Sequence, residues 1–279
     1  MLIRCLPVGH LMTNCYIVTD ETTLECAVID PGDESNTILY YLEDNHLTCR
    51  AILLTHGHYD HTGAVYAVHE ETGAPVYMNA LDAGTAVAFD SYTFTPPEGT
   101  IFYKEGDEVR VGNLTFRVME TPGHTPGHLA LYEPSSRILF GGDHVLFVIS
   151  PSIALFPDGA DGLQAYLDSL DKVRALRCEK LFVAHGEPRD DFDERIGWLR
   201  DHHLERLEET CGIVRDRPGL AGEEVIRAIK WNVPYPTWEE ISFVQRWCIV
   251  TEGVVILNHL VGSGAIRREK DESGINRYF

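Results

Sequence analysis

The 279-residue chain has no run of 18 or more apolar residues, and its opening stretch MLIRCLPVGHLMTNCYIV is interrupted by Pro7, His10 and Asn14. Neither a membrane span nor a cleavable leader is expected, and the chain reads as a soluble, cytoplasmic protein. Its seven cysteines (Cys5, Cys15, Cys26, Cys49, Cys178, Cys211 and Cys248) are odd in number and never form a Cys-x-x-Cys pair. That points away from a disulfide framework or a thiolate zinc site, so any metal must be held by nitrogen and oxygen. Basic residues are scarce too: 23 Lys and Arg face 43 Asp and Glu, a formal net charge of −20. Such acidity repels polyanions at long range, which sets nucleic acid well behind a small molecule as the expected partner. Low-complexity tracts and solenoid-period repeats are absent, and 44% hydrophobic residues suffice for a sizeable core.

What is present is a series of apolar segments that stop abruptly. NCYIVT and LECAVIDPG read as a strand meander, NTILYYLEDNHL as a helix, and AILLTH as a buried strand ending at His56. TGAVYAVHEETG follows as a helix closed by Gly73, APVYMN as a strand, and residues 80–106 as helix and loop around Pro96-Pro97. DEVRVGNLTFRVMETPGH is a hairpin turning at Gly112-Asn113. HLALYEP and RILFGGD are further strands, GLQAYLDSLDKVRAL is a helix, and KLFVAHGEP is a last strand. Four of these strands, AILLT, TFRVMET, RILFGG and KLFVA, each end at a His or Asp, so their ends are expected to converge on one sheet edge as a binding site. Residues 1–200 form one expected domain. Residues 201–279 form a second, smaller and helical, ending in the charged hairpin AIRREKDESGINRYF. The second part carries 10 Lys and Arg against 13 Asp and Glu, so the acidity lies in the first.

THGHYDH places His56 and His58 two residues apart at a strand end, able to clamp one metal from one side, with Asp60 and His61 facing a second where a helix begins. Gly57 is expected to bring the backbone close to the metals. Further ligands follow the other strands: His124 in TPGHTPGH, Asp143 in FGGDH and His185 in VAHGEP. The seven divide into His56, His58 and His124 on one ion, Asp60, His61 and His185 on the other, and Asp143 bridging. Three protein ligands and a bridge leave each ion an open position, as in catalytic sites. Zinc is the expected metal, with iron and manganese as alternatives for the same donors. Two ions about 3.5–4 Å apart would lower the pKa of a bridging water toward about 7, making hydroxide the nucleophile.

THGHYDH, TPGHTPGH, FGGDH and VAHGEP, in this order and with these intervals, resemble the metallo-β-lactamase superfamily, and particularly its glyoxalase II-like branch. The resemblance covers about 200 residues and implies an αββα sandwich with the metals at one edge. It also implies catalytic roles for Asp143 and for Asp60, which would orient the water or carry a proton to the leaving group. A looser resemblance, through ISPSIALFPDGADGLQAYLDSLDKVRAL and the tail, is to hydrolases of the superfamily with a winged-helix tail, some of which cleave single-stranded RNA. VAHGEP departs from the Pro-Gly-His-Gly common in that subgroup.

The expected function is therefore hydrolysis of an ester, thioester, lactone or phosphodiester, with a single-stranded RNA endonuclease and a mononuclear iron persulfide dioxygenase as alternatives. A glutathione thioesterase would need basic and Tyr residues after the bridging aspartate, and FVISPSIALFPDGADG has no Lys, Arg or Tyr. FVISPSIALF is instead the expected apolar substrate wall, with Tyr235-Pro236-Thr237-Trp238 as a competing one. His128 reads as a hydrogen-bonding support, and His144 as either a substrate contact or a buried residue. Trp231, Trp238 and Trp247 are expected to pack the tail onto the first domain. Arg267, Arg268, Lys270 and Arg277 in the hairpin are balanced by Glu269, Asp271 and Glu272, which fits a solvated surface.

Overall fold

The first sheet comprises β1 (Leu2–Val8), β2 (Thr13–Asp20), β3 (Glu25–Ile29), β4 (Thr48–Leu53), β5 (Val76–Met78) and β6 (Ile101–Phe102), side by side in that order. β1, β2 and β3 pair antiparallel, and β3 through β6 pair parallel. The second sheet contains β7 (Glu108–Val111), β8 (Leu114–Glu120), β9 (Leu129–Glu133), β10 (Ile138–Phe140) and β11 (Lys180–Phe182), in the order β11-β10-β9-β8-β7. Only β10 and β11 run parallel there. The computed structural model describes residues 1–84, 93–233 and 237–279.

The near-continuous apolar runs follow from burial on both faces. Cys15 and Ile17 of β2, with Ile52 of β4, face α1 (Ser35–Asp44) and α3 (Val65–Thr72). The alternate residues Tyr16, Val18, Ala51 and Leu53 face the second sheet, meeting Phe116, Val118, Leu131 and Phe140. The outer face of that sheet packs Ala130, Leu139 and Leu181 against α4 (Gly162–Leu176), α5 (Phe192–Asp216) and α7 (Phe243–Gly262). The result is the expected αββα sandwich with a helical C-terminal region. That region also holds α6 (Gly222–Ala228) and a small sheet of β12 (Leu220–Ala221), β14 (Asn276–Tyr278) and β13 (Arg268–Lys270).

Some elements depart from the pattern read in the sequence. β1 carries Arg4 and Pro7, which hide it from an apolar-run criterion; it is an edge strand, where a proline is tolerated. The segment expected as helix and loop over 80–106 contains a 3-10 turn at Ala80–Asp82 and the short β6, and its residues 85–92 lie outside the described residues. α5 starts nine residues before the expected second part at residue 201 and runs across that boundary, its buried Ile196 and Leu199 joining the same apolar cluster as Ile249 and Ile256 of α7. Trp231 and Trp238 pack against that cluster, but through Ile226, Arg206 and Arg227 of the tail itself rather than through the first domain, and Trp247 is exposed. Among the described residues, no helix is long and apolar enough to cross a membrane.

Asp161 joins two helices: its carboxylate caps α4 by accepting from the Gln164 N–H at 3.0 Å, and accepts from His259 Nδ1 of α7 at 2.8 Å. Replacement of an N-cap side chain costs about 1–2 kcal/mol. Asp161→Ala is therefore expected to lower unfolding free energy by about that amount in urea titration, with Asp161→Asn losing less.

Candidate metal centre

Four strand ends from the two sheets reach one edge. The chain leaving β4 enters the histidine cluster and the single turn α2 (Tyr59–Thr62), which carries Asp60 and His61; the ends of β8, β10 and β11 deliver His124, Asp143 and His185. The loop and the turn fit because Gly32 has no side chain: a Cβ there would lie 1.6 Å from the Asp60 carbonyl oxygen. Gly57 has a different role from the one expected. A Cβ at Gly57 would press on the Asp82 carbonyl at 2.9 Å, so its smallness serves the approach of the 80–82 turn.

All seven residues named from the sequence meet here, in two groups. Ligand-type atoms of His56, His58, His124 and Asp143 lie within 4.8 Å of one another, and those of Asp60, His61 and His185 form the second such group. His58 Nδ1 stands 2.8 Å from His56 Nε2 and 2.9 Å from His124 Nε2. Asp143 lies between the groups, with Oδ2 3.4 Å from His124 Nε2 and Oδ1 3.4 Å from His185 Nε2. Asp60 Oδ2 is 3.4 Å from both His61 Nε2 and His185 Nε2.

For His56, His61, His124 and His185 the opposite ring nitrogens are tied down, which fixes the tautomers. The Thr55 hydroxyl gives its proton to Asp30 at 2.7 Å, so its oxygen accepts from His56 Nδ1 at 3.0 Å. His61 Nδ1 donates to Asp30 Oδ2 at 2.9 Å, His124 Nδ1 to the Ser152 carbonyl at 2.8 Å, and His185 Nδ1 to the Leu11 carbonyl at 3.3 Å. His128 spends both nitrogens inside the protein: Nε2 accepts the Asp143 N–H at 3.1 Å and Nδ1 faces the Thr121 hydroxyl at 2.8 Å. His144 is buried with its ring against Tyr166 at 5.2 Å.

The electrostatics divide in the same way. Burial, reinforced by His124, pushes His58 down to about 3, and burial with the neighbouring His61 holds His56 well below its usual range. On the other side burial opposes charge on His61, but Asp60, Asp30 and Asp143 raise it to about 9. His185 rises to about 10 against the same burial penalty, through Asp143 and Asp60. Despite burial, the carboxyls of Asp60 and Asp143 are held well below the carboxylate range by His61 and His185. The two aspartates hold protons on His61 and His185 at a point where His61 Nε2 and Asp143 Oδ1 are buried without a hydrogen-bond partner. Buried ligand-type atoms left without partners beside converging carboxylates suit a cation, which would take the place of those protons.

A family model for the metallo-beta-lactamase superfamily matches residues 8–185. The chain belongs to that superfamily. It falls in the glyoxalase II-like branch and is a metal-dependent hydrolase. A hydroxyacylglutathione hydrolase of Pseudomonas entomophila is 30% identical over 228 residues, 75% of this chain and 82% of that protein. A beta-lactamase domain protein of Burkholderia ambifaria shares the fold over 99% of this chain and 91% of its own, with a TM-score of 0.79 at 24% identity. A smaller protein, crystallised in a di-iron-bound form, is 34% identical with a TM-score of 0.57, covering 68% of this chain and 96% of that one.

Three contributors escaped the sequence reading. Asp30 serves both groups through Thr55 and His61. Thr13 donates to Asp60 Oδ2 at 2.8 Å. Asp82, buried and with its carboxyl raised by that burial, accepts from the N–H groups of Gly57 and Gly127 at 3.1 and 2.7 Å and from the Thr125 hydroxyl at 2.7 Å. It pins the His56–His58 loop to the His124 loop. Asp82→Ala would strand three buried donors at about 1–3 kcal/mol each, less whatever relaxation or water recovers. The expected net loss is about 3 kcal/mol, a fall in Tm of about 6–10 °C by differential scanning calorimetry.

Proposed function

We propose that the chain hydrolyses an ester, thioester, lactone or phosphodiester with two divalent ions. His56, His58 and His124 would hold one, Asp60, His61 and His185 the other, and Asp143 both. The observation that carries this reading is the position of Asp143, one carboxylate oxygen beside each histidine group and one of them unpartnered. Its likeness to a hydroxyacylglutathione hydrolase supports acyl chemistry, and the donor set favours zinc, with the iron of the di-iron neighbour as the competing metal.

Two ions at such a site acidify a shared water and polarise the substrate oxygen. The protein's own part is positional. Asp30, Thr55, Ser152 and Leu11 hold the imidazoles with one nitrogen each toward the centre. Asp60, steadied by Thr13, is placed to orient the attacking water or to carry its proton to the leaving atom. A division near residue 200 assigns this chemistry to the first part and leaves the helical tail as an accessory. The tail's cations support a structural role rather than RNA binding: Arg267 pairs with Glu269 at 2.8 Å, and Arg277 with Asp271 at 2.9 Å.

Metal analysis of the purified protein is expected to give two equivalents per chain, and chelation to abolish hydrolysis. Stoichiometric metal with no turnover of any ester, thioester, lactone or phosphodiester would refute the reading. Asp143→Ala is expected to lose metal and activity together. Asp30→Asn should keep the fold by circular dichroism while weakening metal binding about 10–100-fold in chelator competition, since it disturbs the partner that orients His61.

A further inference from the structure

The mouth of the centre differs sharply from its interior. The turn at residues 9–12 lies over His185, with the Leu11 carbonyl 3.3 Å from Nδ1, and exposes the side chains of Leu11 and Met12. The 146–152 loop reaches His124 through Ser152 and lies beside His185: a Cβ at Gly186 would sit 3.7 Å from Val148 Cγ1. That loop exposes Val148 (68%) and Ile149 (59%), and the 80–82 turn behind Gly57 exposes Leu81 (61%). Exposed apolar side chains in isolation need no explanation, but these five sit on the three segments that touch the metal-centre loops.

The segments that carry the centre and these side chains supply no positive charge themselves. Residues 9–14, 55–64, 79–84, 121–128, 141–162 and 183–188 contain no Lys or Arg. The two arginines that reach the 146–149 loop are already committed. Arg195 donates to the carbonyls of Leu146 and Ile149 at 2.6 and 2.8 Å, and Arg189 pairs with Asp191 and lies over Phe147 at 4.8 Å. A substrate bearing a peptide carboxylate or a phosphate far from the reacting carbonyl would meet an acidic protein offering only Arg189, paired with Asp191, and Arg195, whose Nε and Nη2 are spent on backbone carbonyls.

We infer that the substrate is a neutral ester, thioester or lactone whose acyl group is an alkyl chain held by Leu11, Met12, Leu81, Val148 and Ile149. This rests on the hydrolase reading above and narrows it. In the reaction, water oxygen bonds to the acyl carbon and the carbon–sulfur or carbon–oxygen bond breaks. Its electron pair goes to the leaving atom, which takes up one water proton; the products are a carboxylic acid and a thiol or alcohol.

The test uses the metal-loaded full chain and two neutral series, acyl thioesters of N-acetylcysteamine and γ-lactones, each from short to ten-carbon acyl groups. A glutathione thioester with a matched acyl group is the charged control. Burying methylenes predicts kcat/KM rising about threefold per added CH2 over the first several carbons, expressed mainly in KM. The slope in either series supports the inference, and the faster series names the leaving atom. Val148→Asp and Met12→Asp, both at exposed positions, should flatten the slope with metal content still two per chain. Tyr40→Ser, an exposed position on α1, should leave the slope as it is. Brisk turnover that is independent of chain length, or a preference for the glutathione thioester over its neutral counterpart, overturns the alkyl-chain inference alone. Absence of turnover across every series by metal-loaded protein overturns the inference, and the further absence of ester and phosphodiester turnover overturns the hydrolase reading with it.

Discussion

Each histidine that faces the centre through one nitrogen and is tied to the protein by the other is the condition on which the site depends. An imidazole free to turn could present either nitrogen, or a proton, toward the cluster. Asp30, Thr55, Ser152 and Leu11 remove that freedom for His61, His56, His124 and His185. Those four partners come from β3's exit, β4's exit, the loop beyond Asp143 and the first turn of the chain, so the orientation of the ligands is a property of the assembled sandwich. This arrangement is what lets two carboxylates, Asp60 and Asp143, stand close together without being neutralised by protons of their own.

The sandwich provides the edge where this can happen. Strands buried on both faces must satisfy their backbone within the sheets, and polar side chains can gather only where strands end. β4 comes from one sheet and β8, β10 and β11 from the other, so the cluster bridges the two sheets at one end and Asp143 lies on the seam. The segments around the centre follow a different logic. Turns 9–12 and 80–82 and loop 146–152 contribute their backbone or a carboxylate to the centre and leave their apolar side chains outside. Positioning and substrate selection are thus divided between inward and outward parts of the same short segments.

Much of the site was legible in the sequence because its signal is local. THGHYDH compresses four groups into seven residues, and His124, Asp143 and His185 each follow an apolar strand that announces its own end. The hairpin turning at Gly112-Asn113 was readable for the same reason, whereas the αββα sandwich was implied by the resemblance to the superfamily. β1 was hidden because an edge strand needs no continuous apolar run, and the start of α5 because Phe192 to Asp201 is rich in charge, although Ile196 and Leu199 bury one face.

Asp30, Asp82 and Thr13 had no such signal. Asp82 lies 25 residues from Gly57 and 45 from Gly127, and Thr13 lies 47 residues from Asp60. A carboxylate at a turn looks the same whether it faces water or three buried donors. Local spacing therefore determined the donor types, the strand ends that carry them and the two groups into which they fall. Only the folded chain decided which nitrogen each histidine presents, which aspartates hold the loops together, and which apolar side chains stand exposed on the segments around the centre. Those depend on contacts between distant segments, which no periodicity in the sequence records.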